Sequence, residues 1–295
     1  MPGADGALPP TCVPIKALAA ALKGTKGEIT LRRESDPVGL SVVNSASARL
    51  AALDGCEFPR LPDVPERDAD AAFDAVALAD ALDYVVQAAS DDESRPYLCG
   101  VLFTESVTLV ATNGHRMHLR RLPVEGVLRE ILVASKTVEA LVAAIRQAKP
   151  KRVAVWIDQG AAVFLVDPLV TVCGKIADAK FPPYKKIIPV AKSPSVLTVD
   201  AGALREACAG ACRFFQSVGR DRQNRQTWIV ACSVADGVLE VVADDKYTTA
   251  EFRATVPVSA TLRAPARGGW SCTFVRAALA GASGPVRLGL TDALS

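Results

Sequence analysis

The stretch PYLCGVLFTESVTLVATNGHRM, residues 96–117, decides how this chain is interpreted. The apolar run at residues 101–103 predicts one strand, and residues 107–112 predict a second. The Asn113-Gly114 pair then predicts a tight turn, because both residue types tolerate positive φ. Such a turn would bring His115 and Arg116 to the edge of a sheet. Taken alone, the pattern also fits an ordinary hairpin with no further role.

A second informative stretch, KFPPYKKIIP at residues 180–189, follows about 65 residues later. Together the two resemble the bacterial DNA polymerase III beta subunit (sliding-clamp) family. That family carries Tyr-Leu-x-Gly-x-x-Phe, then Val-Ala-Thr-Asp-Gly-His-Arg, and a Phe-Pro-x-Tyr boundary between its middle and last domains. The matching positions of the first stretch are Tyr97, Leu98, Gly100, Phe103, Val110, Ala111, Thr112, Gly114, His115 and Arg116. Asn113 stands where the family usually has Asp.

Composition limits the class of protein. The chain has 295 residues, half of them hydrophobic, and a formal net charge of +2. These numbers allow two or three domains with a sizeable core. No apolar run approaches the ~20 residues that a membrane span needs. The first residues, MPGADGALPP, lack the features of a secretory signal. We therefore expect a flexible leader over residues 1–11, a cytoplasmic location, no membrane contact, and eight cysteines held as thiols.

One pattern recurs along the chain: a short apolar strand, a helix of about ten residues, and another strand. Leu and Ala recur at helical spacing in each copy, as at Leu78 and Leu82. The five copies start at Cys12, Phe73, Ile131, Val196 and Cys272. Amphipathic helices packed on alternating strands predict an α+β fold of repeated modules.

The resemblance implies how these modules group into domains. In sliding clamps two modules form one domain, with helices inside a ring and sheets outside. On that mapping residues 12–65 correspond to the second half of a first domain. Residues 66–189 correspond to a complete middle domain, and residues 190–295 to a last domain without its C-terminal strand and tail.

Basic residues concentrate on the predicted helices and the loops after them, while the second helix carries Asp74, Asp80 and Asp83. Solvated helix faces are the plain explanation of such charge runs. Under the resemblance, the cations would contact duplex DNA without sequence preference. The proposed DNA-binding residues are Lys16, Lys23, Arg95, Lys136, Arg146, Lys149, Lys151, Arg152, Arg205, Arg213, Arg220, Arg222 and Arg225.

The resemblance also implies a pocket for a short peptide motif of partner proteins, between the middle and last domains. Leu, Met, Pro and Ile side chains would form an apolar trough beside the polar turn. For Met117 and Ile187, ordinary core packing is the alternative. The implied wall consists of Leu98, Thr112, Gly114, His115, Arg116, Met117, Pro182, Lys186 and Ile187.

Signals of catalysis or metal binding are weak. The two histidines, His115 and His118, are separated by three positions, which places them on opposite faces of a strand. Cys208 and Cys212 lie on an apolar helix face with no histidine near them in sequence. Neither a phosphate-binding loop nor a dinucleotide-binding glycine pattern is present. We expect no catalytic residues, no metal and no cofactor.

These observations predict a non-enzymatic sliding clamp. It would be a head-to-tail homo-oligomeric ring around double-stranded DNA that tethers DNA polymerase and other motif-bearing proteins, and a clamp loader would open it. One alternative is a clamp-like adaptor or decoy that binds replication proteins, or a full clamp, without encircling DNA. An unrelated α+β enzyme would need a paired acid and base.

Overall fold

The computed structural model describes residues 8–35, 37–43, 47–58, 62–188, 195–218, 228–245, 249–261 and 267–290. The chain divides into two compact units, Met1–Pro62 and Asp63–Ser295. Within the described ranges, none of the helices has the length and apolar character needed to cross a membrane.

The first unit is a small sheet with one helix. Its elements are β1 Thr11–Cys12, α1 Ile15–Leu22, β2 Thr30–Ser35, β3 Val38–Val43, β4 Ser47–Ala51 and β5 Leu53–Asp54. The strands β2, β3 and β4 form one antiparallel sheet, and β1 pairs with β5. Leu40 and Val42 on the central strand β3 are buried, whereas α1 buries none of its eight residues.

The second unit begins with two sheets and two helices. Its first half contains β6 Ala71–Asp74, α2 Ala75–Val86, β7 Gly100–Phe103, β8 Thr108–Thr112, β9 Met117–Arg121, β10 Glu125–Gly126, β11 Ile131–Ala134, α3 Ser135–Ala148, β12 Arg152–Asp158, β13 Ala161–Asp167 and β14 Val170–Lys175. One sheet has the order β10-β6-β12-β13-β14 and the other β11-β7-β8-β9. Leu82 on α2 and Leu141 on α3 share one buried core with Phe103 and Phe164 of the sheets.

The rest of the second unit repeats this plan around a single sheet. It contains β15 Ser195–Asp200, α4 Ala201–Ser217, β16 Ile229–Ala235, β17 Val238–Asp244, β18 Glu251–Thr261, β19 Arg267–Ser271, α5 Cys272–Ala278 and β20 Pro285–Leu290. The sheet order is β19-β16-β17-β18-β15-β20. Leu204 and Phe215 of α4 pack with Trp228 and Leu239 in a second core.

Each helix begins at or shortly after the end of a strand, and two of the starts have clear side-chain caps. Asp74 Oδ1 accepts a hydrogen bond from Ala77 N at 2.8 Å, and Asp200 Oδ1 accepts one from Ala203 N at 2.8 Å. Such caps satisfy backbone N–H groups that the first helical turn leaves unpaired. The predicted α+β fold of repeated helix-plus-strand modules is confirmed.

One module boundary differs from the sequence expectation. Cys272 was expected to open a strand, but it is the first residue of α5, and the preceding strand β19 covers residues 267–271. The strand was overlooked because its sequence, RGGWS, contains two glycines, a residue type that is depleted in strands.

Candidate partner pocket and nucleic-acid face

The connection between β8 and β9 is wider than the predicted Asn-Gly turn. Thr112 pairs with Met117, so residues 113–116 form a four-residue connection. The Asn113 side chain accepts hydrogen bonds from the N–H groups of His115 and Arg116, at 3.0 and 3.1 Å. Thr112 Oγ1 donates to Arg116 O at 2.6 Å. Of the Asn-Gly pair, only Gly114 has positive φ, at 89°. The expectation of a two-residue turn was wrong, because the Asn113 side chain stabilises a longer one.

Arg116 leaves this turn toward α5. Its Nη2 donates to Gln87 O at the end of α2, and its guanidinium carbon lies 4.6 Å from the centroid of the Phe274 ring on α5. Burial lowers the pKa of the Arg116 guanidinium. An arginine over an aromatic face is stabilised by the ring quadrupole. Arg116 therefore connects the turn with α2 and α5.

The floor beside β9 is aromatic. Met117 and Leu119 pack against a small cluster that contains Phe181 and Tyr184. Tyr184 is buried at the start of a 3-10 turn, Tyr184–Lys186, and Ile187 N donates to Tyr184 O at 3.0 Å. The described part of this motif, residues 180–188, thus lies against the strand that follows the Asn113-Gly114 pair.

The predicted wall residues differ in exposure. Leu98 and Thr112 are buried, and Met117 and Pro182 are half-buried. Gly114, His115 and Lys186 are exposed, and Ile187 is 67% exposed. The structure therefore offers an exposed apolar side chain next to a packed aromatic floor. Sequence reasoning missed Phe181 and Tyr184 as floor residues, although both belong to the second motif.

Arg95, assigned by sequence to the DNA face, lies close to the turn. If Gly114 carried a Cβ atom, Arg95 Nη1 would lie 3.8 Å from it. Arg95 Nε is 2.8 Å from an Asp92 carboxylate oxygen. The pKa of the Asp92 carboxyl is lowered by hydrogen bonds from Ser94 and from Arg95.

Most of the described arginines in the predicted DNA-binding set are bound to acceptors within the chain. Arg146 lies 2.9 Å from Asp83, which connects α3 with α2. Arg152 makes a two-fold contact with Glu125 and lowers the pKa of that carboxyl. The remaining contacts are Arg213 with Glu206 at 2.8 Å, Lys136 with Glu93 at 4.0 Å, and Arg205 Nη1 with Leu279 O and Ala282 O, both at 3.0 Å.

Except for Lys136, the lysines of this set differ from the arginines in this respect. Lys16, Lys23, Lys149 and Lys151 are exposed, and no carboxylate of the described ranges lies within ion-pair distance of them. The Asp83 carboxylate, which would repel DNA, is paired with Arg146. Arg220, Arg222 and Arg225 lie outside the described residues.

The two histidines have different surroundings. His115 is exposed in the turn, whereas His118 on β9 is buried. The His118 ring stacks on Tyr84 at 4.5 Å, and its Nδ1 is 2.8 Å from Tyr84 O. Burial lowers the pKa of His118. Arg120 lies 4.3 Å from the centroid of the same Tyr84 ring, and Tyr84 Oη donates to Ala278 O at 3.3 Å. Tyr84 therefore makes a second contact with α5.

The chain is similar in sequence to a known protein family and to a curated relative. Residues 73–183 match the family described as DNA polymerase III beta subunit, central domain. The beta sliding clamp of Halalkalibacterium halodurans is 27% identical over 218 residues, which cover 70% of this chain and 52% of that relative. The chain thus spans about half the length of this curated relative.

Solved structures give the same fold. The DNA polymerase III beta subunit of Thermotoga maritima matches with a TM-score of 0.78 at 21% identity, covering 96% of this chain and 75% of that one. A Bartonella birtlesii sliding clamp bound to griselimycin matches with a TM-score of 0.78 at 20% identity, covering 96% and 76%. The fold is therefore that of a bacterial DNA clamp. The family match over residues 73–183 agrees with the resemblance that the sequence motifs predicted.

Proposed function

We propose that this protein is a DNA sliding clamp, a non-catalytic processivity factor that encircles duplex DNA and holds DNA polymerase and other replication or repair proteins on it. The observation that carries this proposal is the clamp fold, which extends over 96% of the chain and includes a family-matched central domain. The same proposal divides the chain into a half domain at residues 12–65, a middle domain at 66–189 and a last domain at 190–295, and places the protein in the cytoplasm.

The DNA face of this clamp would depend chiefly on lysines. Lys149 and Lys151 lie at the end of α3 and before β12, with their ammonium groups exposed. In the first unit Lys23 directly follows α1, as Lys149 follows α3, whereas Lys16 lies in the first turn of α1. Exposed ammonium groups exchange phosphate partners readily and read no base sequence, as sliding requires. The four arginines that pair with carboxylates would contribute less, because their charges are already balanced; these are Arg95, Arg146, Arg152 and Arg213.

The partner pocket would lie beside the turn at residues 113–116. Met117, Phe181 and Tyr184 supply a packed floor, and Ile187 supplies an exposed apolar contact. The N–H groups of Gly114, His115 and Arg116 already donate to side chains of the turn. The exposed Gly114 and His115 would therefore orient an extended partner peptide through their carbonyl oxygens. An apolar surface with a few polar groups at its rim is the usual composition of a ligand site. Lys186 would make a single charged contact rather than the two-fold contact of an arginine.

Ring closure is the requirement that separates a clamp from a clamp-like adaptor. In the proposed assembly, chains associate head to tail, and a clamp loader opens the ring. Light scattering behind a sizing column, over a range of concentrations, tests this directly. A stable dimer or trimer is expected. A monomer at every concentration would contradict the self-contained ring and would favour an adaptor or decoy that binds a full clamp.

A further inference from the structure

The core of the last part of the chain contains closely spaced thiols. Cys208 and Cys212 lie on one face of α4, and Cys272 is the first residue of α5. All three side chains are buried in the same hydrophobic cluster, and the Sγ atoms of Cys212 and Cys272 are 3.3 Å apart. All eight cysteines of the chain are in the thiol form.

The backbone around this thiol pair is fixed. Cys272 N lies 3.1 Å from Trp228 O, to which it donates a hydrogen bond, and Cys272 Sγ lies 3.3 Å from the same oxygen. A disulfide needs an S–S distance of about 2.0 Å, so the two sulfurs must approach by about 1.3 Å.

Cys208 is a poorer disulfide partner for Cys212 than Cys272 is. It lies one helical turn before Cys212, where Cβ atoms on a helix are about 5–6 Å apart, but a disulfide needs Cβ atoms about 3.5–4.5 Å apart. Linking Cys208 to Cys212 would therefore distort α4. The cross-helix pair avoids this problem because Cys212 and Cys272 belong to different elements.

We propose that Cys212 and Cys272 form an oxidation site, at which a peroxide converts the two thiols into a disulfide that joins α4 to α5. One thiol sulfur attacks a peroxide oxygen, the O–O bond breaks, and a sulfenic acid and one water form. The second thiol sulfur then attacks the sulfenic sulfur, the S–O bond breaks, and a second water leaves. Two electrons pass from the sulfurs to hydrogen peroxide, so two thiols and one peroxide give one disulfide and two waters.

Burial of the thiols slows the reaction. Burial raises the pKa of the Cys208 thiol to about 12, and the neighbouring Cys212 together with burial raises the pKa of Cys272. Because the thiolate is the reactive form, the pair reacts slowly and only after peroxide enters the core. More exposed thiols such as Cys56 will therefore be oxidised earlier.

The disulfide would fix the helix that contacts the middle domain. On α5, Phe274 lies against Arg116, and Ala278 O accepts the hydrogen bond from Tyr84. A covalent link from α4 to the first residue of α5 limits the motion of this whole helix. Oxidation would thus stiffen the contact between α5 and the partner-pocket turn.

Peptide mapping tests the proposal on the full chain. The chain is treated with hydrogen peroxide, blocked with an alkylating reagent, and digested with trypsin without reduction. Cleavage after arginine releases residues 206–213, with Cys208 and Cys212, and residues 268–276, with Cys272. We expect the fully alkylated peptides to be lost and replaced by a linked species. Its mass is that of the 206–213 peptide alkylated at Cys208 plus that of the unalkylated 268–276 peptide, less two hydrogens. Reduction should return two peptides.

Matched single variants identify the sulfur that reacts. The link should persist in Cys208→Ala and disappear in Cys212→Ala, because only Cys212 contributes a sulfur to it. The two variants are matched, since each removes one buried thiol from the same helix. In the linked chain, hydrogen exchange of the α5 amides should be slower than in the reduced chain. Oxidation of the exposed thiols without the linked peptide would overturn the proposal, and so would a link that survives Cys212→Ala.

Discussion

Removal of two lysine charges should weaken DNA binding in a way that can be calculated. Lys149 and Lys151 are exposed, and no carboxylate of the described chain lies within ion-pair distance of either, unlike the neighbouring Arg146 and Arg152. Each cation that contacts a phosphate of B-DNA adds about 0.9 to the slope of log K against log salt. The double variant Lys149→Gln/Lys151→Gln should therefore lower this slope by about 1.8 per chain.

Fluorescence anisotropy of a labelled duplex, titrated with protein at several salt concentrations, measures this slope. The matched control is Asp83→Asn/Arg146→Gln, which removes an ion pair and leaves the net charge unchanged. We expect this control to keep the slope of the unmodified protein, because Arg146 is already neutralised. An unchanged slope in the lysine variant, or an equal decrease in the control, would refute the assignment of the DNA face to the unpaired lysines.

Three further predictions concern the pocket, the core and pH. Ile187→Ser should weaken binding of a clamp-binding peptide, as measured by calorimetry. Val127→Ser is the control and should not weaken binding, although Val127 is also apolar and is 80% exposed. Equal losses of affinity in the two variants would contradict the pocket. Gly210→Ala should lower the free energy of unfolding in urea by about 1–3 kcal/mol, because the added Cβ would lie 2.4 Å from Phe252 Cζ. A more stable variant would show that the higher helix propensity of alanine outweighs this steric clash. The lowered pKa of His118 means that the unfolded chain binds the proton first, so stability should be constant at higher pH and decrease as pH falls through about 6.5. His118→Gln should reduce this decrease, and an identical pH profile would contradict the burial effect.

The helices were predictable because their apolar residues repeat at helical spacing. Leu78 and Leu82, for example, both face the core of the second unit, as that spacing requires. The likeness to the DNA polymerase III beta subunit family was also predictable, because the two motifs occur in the order that the family has, and the family match includes most of their residues. The turn geometry was not, since a side-chain acceptor at Asn113 replaced the backbone turn that the Asn-Gly pair favours.

The electrostatics of the site depended on contacts that a sequence does not display. Arg146 and its partner Asp83 are 63 positions apart, so a count of cations along α3 overestimates the free positive charge. The same reason explains why Phe274 was missed: its contact with Arg116 joins distant parts of the chain. The ion pair and the ring contact both depend on distances between residues that are remote in sequence, and local sequence patterns do not contain this information.

The proposed function is topological: a clamp that surrounds DNA would stay on it without sequence-specific contacts. The most direct measurement loads labelled protein onto nicked circular DNA with a clamp loader and follows retention on a sizing column before and after the circle is cut. An encircling clamp should co-elute with the closed circle at a salt concentration that abolishes simple electrostatic binding, and should be lost once the DNA is linear. Equal retention on circular and linear DNA, or none on either, would contradict an encircling clamp.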